Sequence, residues 1–142
     1  MTTQSTQPAG DGVAAIPANA RSNRIESFDC YRLAVEFSTL ACTLVPRGHG
    51  ALRDQLERAS TSLVLNLAEG FGRWQPREKA HHYAIARGSL LESGAAVDLL
   101  RARQLVSEID CDRARALCTR VGQMLGGLIR SVERRYAMVG RG

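Results

Sequence analysis

Three groups of side chains in this sequence are arranged as reactive or ligand-binding groups often are. Ser62, Asn66 and Glu69 recur at intervals of four and three within the run from Leu52 to Arg73, so on a helix they face the same way. A hydroxyl, an amide and a carboxylate among apolar neighbours suit either acid–base work or a hydrogen-bonded lock. Glu78 and His81 form a Glu-x-x-His, the unit with which helical bundles hold di-iron sites. Arginine makes the third group. The chain carries eighteen arginines, one lysine and a formal net charge of +5, and arginine is the side chain best shaped for two-pronged contact with phosphate.

The metal idea is the weakest of the three. A di-iron bundle needs a second Glu-x-x-His and two further inward glutamates, and the second motif is absent. His81 and His82 would diverge by about 100° on a helix. The segment is better read as an exposed first turn of a helix, with no metal and no other cofactor expected. Cys30, Cys42, Cys111 and Cys118 include no Cys-x-x-Cys pair. Cys30 and Cys42 share one predicted helix and would lie about 18 Å apart along it, beyond bridging reach. Cys42 could approach Cys111 or Cys118, but a cytosolic chain keeps its thiols reduced. Inert thiols are expected. Neither Gly-x-Ser-x-Gly nor a glycine-rich phosphate loop after a strand occurs, so no enzyme is expected.

The elements that must position these residues are helices. Leu52, Leu56, Ala59, Leu63, Leu67 and Phe71 trace one helical face, with Gly70 and Gly72 as the stop. An earlier helix runs from Asp29, its expected N-cap, to Val45, with Tyr31, Val35, Phe37, Leu40, Ala41 and Leu44 as apolar surface and Pro46 ending it. A third begins at Pro76 and continues to about Leu105, packing through Tyr83, Ala84, Leu90, Leu91, Val97 and Leu100. Asp110 is the expected N-cap of a fourth, in which Ala114, Leu117, Val121, Met124, Leu125, Leu128 and Val132 keep helical spacing. Short loops make neighbours antiparallel. The reading is all-α: an up-down-up-down four-helix bundle over residues 28–137. Residues 1–27, rich in polar and small residues, read as a disordered tail, and 138–142 as a flexible C-terminus. The tail has neither the basic nor the apolar region of a signal peptide, and no stretch approaches the ~20 apolar residues of a membrane span. A cytoplasmic chain is expected.

Leu52, Gln55, Arg58, Ala59, Ser62, Asn66, Ala68, Glu69, Gly70 and Arg73 together resemble the signature of small bacterial four-helix-bundle proteins encoded in intervening sequences of large-subunit ribosomal RNA genes. Ala84 to Ser93, AIARGSLLES, is similar to that family's second block. Members usually carry a proline where this chain has Val64-Leu65, which implies a straighter helix here. The resemblance implies a ring-forming homo-oligomer, often a pentamer. It also implies kinship in fold to the accessory protein of diversity-generating retroelements, which partners a reverse transcriptase and binds nucleic acid.

Within such a bundle Ser62, Asn66 and Glu69 read as a polar lock of helix register. A buried carboxylate requires a cation, so Glu69 is expected to meet Arg58, Arg73 or Arg87, while Ser62 and Ser89 bond nearby backbone. Gly122 and Gly126 would admit another helix closely, inside the bundle or from a second subunit. Two basic features remain. Arg113, Arg120, Arg130, Arg134 and Arg135 fall on an arc of about 140° of the fourth helix, the footprint of a polyanion partner; a solvated face partly paired to acids on the first and third helices is an equal alternative. Arg73, Arg77 and Lys79 surround a turn holding Trp74, which is expected to cap the core; the competing reading stacks it on an unpaired base. Two function classes follow: a nucleic-acid-binding homo-oligomer serving RNA or a reverse transcriptase, and a protein-interaction scaffold whose charge is incidental.

Overall fold

In the computed structural model, which describes residues 28–140, four helices follow one another: α1 (Asp29–Leu44), α2 (Gly50–Gly72), α3 (Pro76–Ala102) and α4 (Glu108–Val139). The expected N-terminal tail lies outside the described residues, as do 141–142 of the expected flexible end; Met138 and Val139 of that end are helical. α1 packs on α2, α2 on α3, α3 on α4, and α4 closes the square against α1. The fold is thus an antiparallel all-α four-helix bundle, with no strand among the described residues.

The apolar stripes explain the closure. Phe37, Leu56, Leu63, Leu67, Val97, Leu100, Val121 and Leu125 are fully buried, drawn from all four helices. Each such side chain stabilises the fold by roughly 1.5–3 kcal/mol relative to exposure. Phe28 and Phe71 stack at 4.9 Å and close one end of the bundle, over the start of α1 and the end of α2. At that end α2 is also clamped by Lys79, whose Nζ donates to the carbonyls of Gly70 (2.9 Å) and Phe71 (3.0 Å). These are orphan acceptors at a helix C-terminus, where a cation is favoured. Gly70 itself is less a stop than a gap: a Cβ there would sit 2.5 Å from the Tyr83 ring, so only glycine lets α3 approach this closely.

Helix ends differ from expectation for identifiable reasons. Asp29 is the first helical residue of α1 rather than its cap, which is Phe28. Asp110 does not cap α4; Ser107 does, its Oγ accepting from the Asp110 N–H (3.2 Å) and donating to the Asp110 carboxylate (2.8 Å). α3 stops at Ala102, short of Leu105. Gln104 takes a left-handed conformation (φ 55°), its N–H donating to Arg101 O and that of Leu105 to Leu100 O. This is a Schellman stop with glutamine where glycine is usual, so the sequence signal was missing.

α3 is apolar on two sides. Tyr83, Leu90, Val97 and Leu100 are buried as expected, but Ala84 and Leu91 point outward, and so does Val35 of α1. Ala84, Gly88, Leu91, Ala95 and Leu99 form an exposed strip along α3. Periodicity alone cannot say which of two apolar faces the bundle takes.

Candidate functional site

The residues first suspected of chemistry lie along the α2–α3 seam and largely satisfy one another. Asn66 Nδ2 donates to the Ser62 carbonyl (2.9 Å) and reaches Ser62 Oγ (3.3 Å); Ser89 Oγ donates to Ser62 Oγ (2.8 Å). The Asn66 amide oxygen can only accept, so the His82 Nδ1–H donates to it across the seam (3.1 Å). One turn away, Arg58 donates to Gln55 Oε1 (3.0 Å), and Gln55 crosses to Glu92 of α3. Ser62, Asn66, Ser89 and His82 therefore form the lock, and Arg58 belongs to a neighbouring exposed bridge.

Glu69 is not in the lock. Its side chain is about half exposed and pairs with Arg73 at 2.8 Å, one turn along the same helix. The partner is among those expected, but the burial is not. Taking α2 at about 100° per residue, Asn66 lies roughly 65° from the middle of the buried stripe and Glu69 roughly 125°, past the margin. A solvated pair of this kind has no need of a deep cation and no role in register.

The arginine face of α4 behaves differently. Arg113, Arg120, Arg130, Arg134 and Arg135 are all exposed, and among the described residues none has a carboxylate within 4.0 Å. The acids of the α3–α4 seam pair with other arginines: Arg115 with Asp98 (3.4 Å), and Arg101 with Glu108 (3.3 Å) and Asp112. Gly126 helps build this face: a Cβ there would meet Arg130 Nη1 at 3.2 Å, so the guanidinium lies back over bare helix. Gly122 faces Leu90 at an ordinary 3.5 Å, inside the bundle.

At the α2–α3 turn the expected trio separates. Lys79 serves the α2 carbonyls, its pKa lowered by burial and then by the nearby Arg135 charge. Arg73 is paired with Glu69, which leaves Arg77 as the unpaired cation of the turn among the described residues. Trp74 does not cap the core; it is 94% exposed, because the Phe28–Phe71 stack already covers that end.

The model of the family described as 23S rRNA-intervening sequence protein matches residues 26–127. The chain belongs to that family. No curated protein matches the chain. The intervening-sequence match takes in α1, α2, α3 and the larger part of α4, hence the whole α2–α3 lock. It stops before Arg130, Arg134 and Arg135, so three of the five arginines of that face lie outside what the family model covers.

Sequence reasoning missed His82 as the partner of Asn66, the fully buried Ser93, and the buried hydroxyl of Ser60. Ser60 is fully buried and accepts from Ser38 Oγ at 3.0 Å across the α1–α2 seam. A seryl pair on two apolar faces was the available signal for the latter. The thiols are all free: Cys30, Cys111 and Cys118 are buried and Cys42 is partly so. Burial pushes the Cys30 thiol up to about 12, and the Tyr83 phenol beside it to about 12 by burial and then by Cys30. Among the described residues no three His, Cys, Asp or Glu side chains are placed to hold a metal, and no helix is long and apolar enough to cross a membrane.

Proposed function

We propose that this intervening-sequence family protein is a non-catalytic, self-associating bundle that binds nucleic acid through the arginine face of α4. One observation carries the reading. Five exposed arginines share one face without a carboxylate partner among the described residues, while the other arginines of that seam are paired. Unneutralised guanidinium groups along a helix raise the local positive potential and attract phosphates. The name of the family, which refers to 23S rRNA, favours RNA as the polyanion. The exposed strip Ala84, Gly88, Leu91, Ala95 and Leu99 on α3 supports self-association, since a monomer gains by covering contiguous apolar surface. A reverse transcriptase as protein partner is the finer form suggested by resemblance to the retroelement accessory protein.

Filter binding of structured RNA and duplex DNA at two salt concentrations tests this. Binding should weaken steeply with salt, with a log–log slope of about −0.9 for each duplex phosphate contacted. Arg120, Arg130 and Arg134 changed together to Ala should lower both affinity and slope. Absence of binding at low salt would leave the scaffold reading in its place. Sedimentation of Leu91→Glu against the parent protein tests the α3 strip: a lower mass is expected, and an unchanged mass removes that face from the assembly.

A further inference from the structure

The start of α3 and the end of α4 enclose a notch that neither the lock nor the arginine face uses. Its volume is about 480 Å³, and it is lined by Pro76, Arg77, Ala80, Val132, Glu133 and Tyr136. That size lies within the roughly 300–1,000 Å³ of small-ligand sites. The floor is apolar, one wall is an aromatic ring that is 57% exposed, and the rim carries one cation and one anion. Arg77 also lines a second hollow of about 390 Å³ with Arg73, Glu78, His81 and His82, so it stands on the ridge between the two. Trp74, two residues before Pro76, projects from the same turn.

We infer that this notch seats an unpaired base of a single-stranded nucleic acid, stacked on Tyr136, with its phosphate on Arg77 and a neighbouring base on Trp74. The inference rests on the reading of the protein as a nucleic-acid binder and names the form of nucleic acid. An apolar floor beside an exposed aromatic ring can take the π-surface of any base. Glu133 excludes the alternative of a phosphate in the notch, because like charges repel there. A carboxylate accepts instead from base N–H groups, and guanine offers two neighbouring donors, N1–H and the N2 amino group. A strand leaving the notch crosses Arg77 toward Arg73 and the two histidines. The α4 half of the notch, Val132, Glu133 and Tyr136, lies beyond the residues that the family model matches.

The test uses the full chain and its single tryptophan. Trp74 emission and filter retention are followed while adding U12, (GU)6 or an RNA duplex of equal length, at one low salt concentration. Unpaired RNA should quench Trp74 and the duplex should bind without quenching. Tyr136→Ala should weaken unpaired RNA by about five- to 150-fold, the range for one base–aromatic stack, and leave the duplex unchanged; Tyr136→Phe should restore binding. (GU)6 should exceed U12 by at least about fivefold, as for a two-pronged base contact, and Glu133→Gln should erase that preference. Tyr136 and Glu133 are both exposed, so these variants should fold, as circular dichroism will verify. If RNA binds but Tyr136→Ala is silent, or the duplex quenches equally, the notch proposal falls and the arginine face stands. If nothing binds at low salt, both fall. If Tyr136→Ala weakens the binding of polyglutamate as much as that of U12, the notch takes polyanions of any kind and the base reading is overturned.

Discussion

The α2–α3 seam and the outer face of α4 are both rich in polar side chains, yet they treat them in opposite ways. Along the seam, hydroxyl, amide and imidazole groups bond to one another between helices, and what is left over is small. On α4, five guanidinium groups face solvent with no carboxylate within reach among the described residues. Saturated polar groups specify structure; unsaturated ones are available to something outside the chain. The contrast turns a motif that resembles an active site into a register device, and moves attention to residues that form no motif.

The largest effect is expected on α4. Changing Arg120, Arg130 and Arg134 to Ala should reduce nucleic-acid affinity by more than tenfold, while thermal unfolding stays within about 0.5 kcal/mol, as for surface changes without partners. A loss of stability of the same size as the loss of binding would mean that this face is structural too. From the seam side, Gly70→Ala should destabilise by about 1–3 kcal/mol, since a Cβ overlaps the Tyr83 ring. Gly72→Ala, at the end of the same helix and with open space around it, should instead stabilise by up to about 1 kcal/mol. Denaturant titration of both variants reads the difference.

Alkaline pH separates the two regions without mutation. Arginine stays charged throughout, but burial pushes Cys30 and Tyr83 each up to about 12, above their ordinary values of 9.0 and 10.0. A raised acid binds its proton more tightly in the folded state, so its stabilising effect is full below the unfolded pKa and is lost as pH climbs from about 9 to about 12. Stability should fall across that window, and less so in Tyr83→Phe. A flat profile from pH 8 to 11.5 would contradict the burial assigned to both groups.

Smaller effects sharpen the boundary of the lock. Asn66→Ala removes the acceptor of His82 and a bond to Ser62, and should cost about 1 kcal/mol. Glu69→Ala, by contrast, removes one solvated pair and should change stability by no more than about 0.5 kcal/mol. Equal losses in the two variants would return Glu69 to the lock.

The bundle was legible because Leu56, Ala59, Leu63 and Leu67, like Leu117, Val121, Leu125 and Val132, repeat at helical intervals and are buried where the repeat predicts. What escaped was anything set by a second element. Asn66 could be placed at the edge of a stripe, but that His82 stands opposite depends on the α2–α3 register. Trp74 reads as a core cap until Phe28 is seen to reach Phe71 first. The notch brings Arg77 to Tyr136, fifty-nine residues apart in sequence, and neither residue belongs to a pattern that announces the other.

Buried thiols give the molecule a graded set of chemical clocks. Cys42 is partly accessible, whereas Cys30 and Cys111 are sealed, and Cys30 is held firmly as the unreactive protonated form. Alkylating reagents attack thiolate, so Cys42 labels from the native state and Cys30 only after α1 leaves the bundle. The ratio of their labelling rates reads the free energy of that local opening. Because α1 contributes to neither the notch nor the arginine face, the same ratio taken with and without RNA reports whether occupancy at one end of the bundle tightens the helix that closes it.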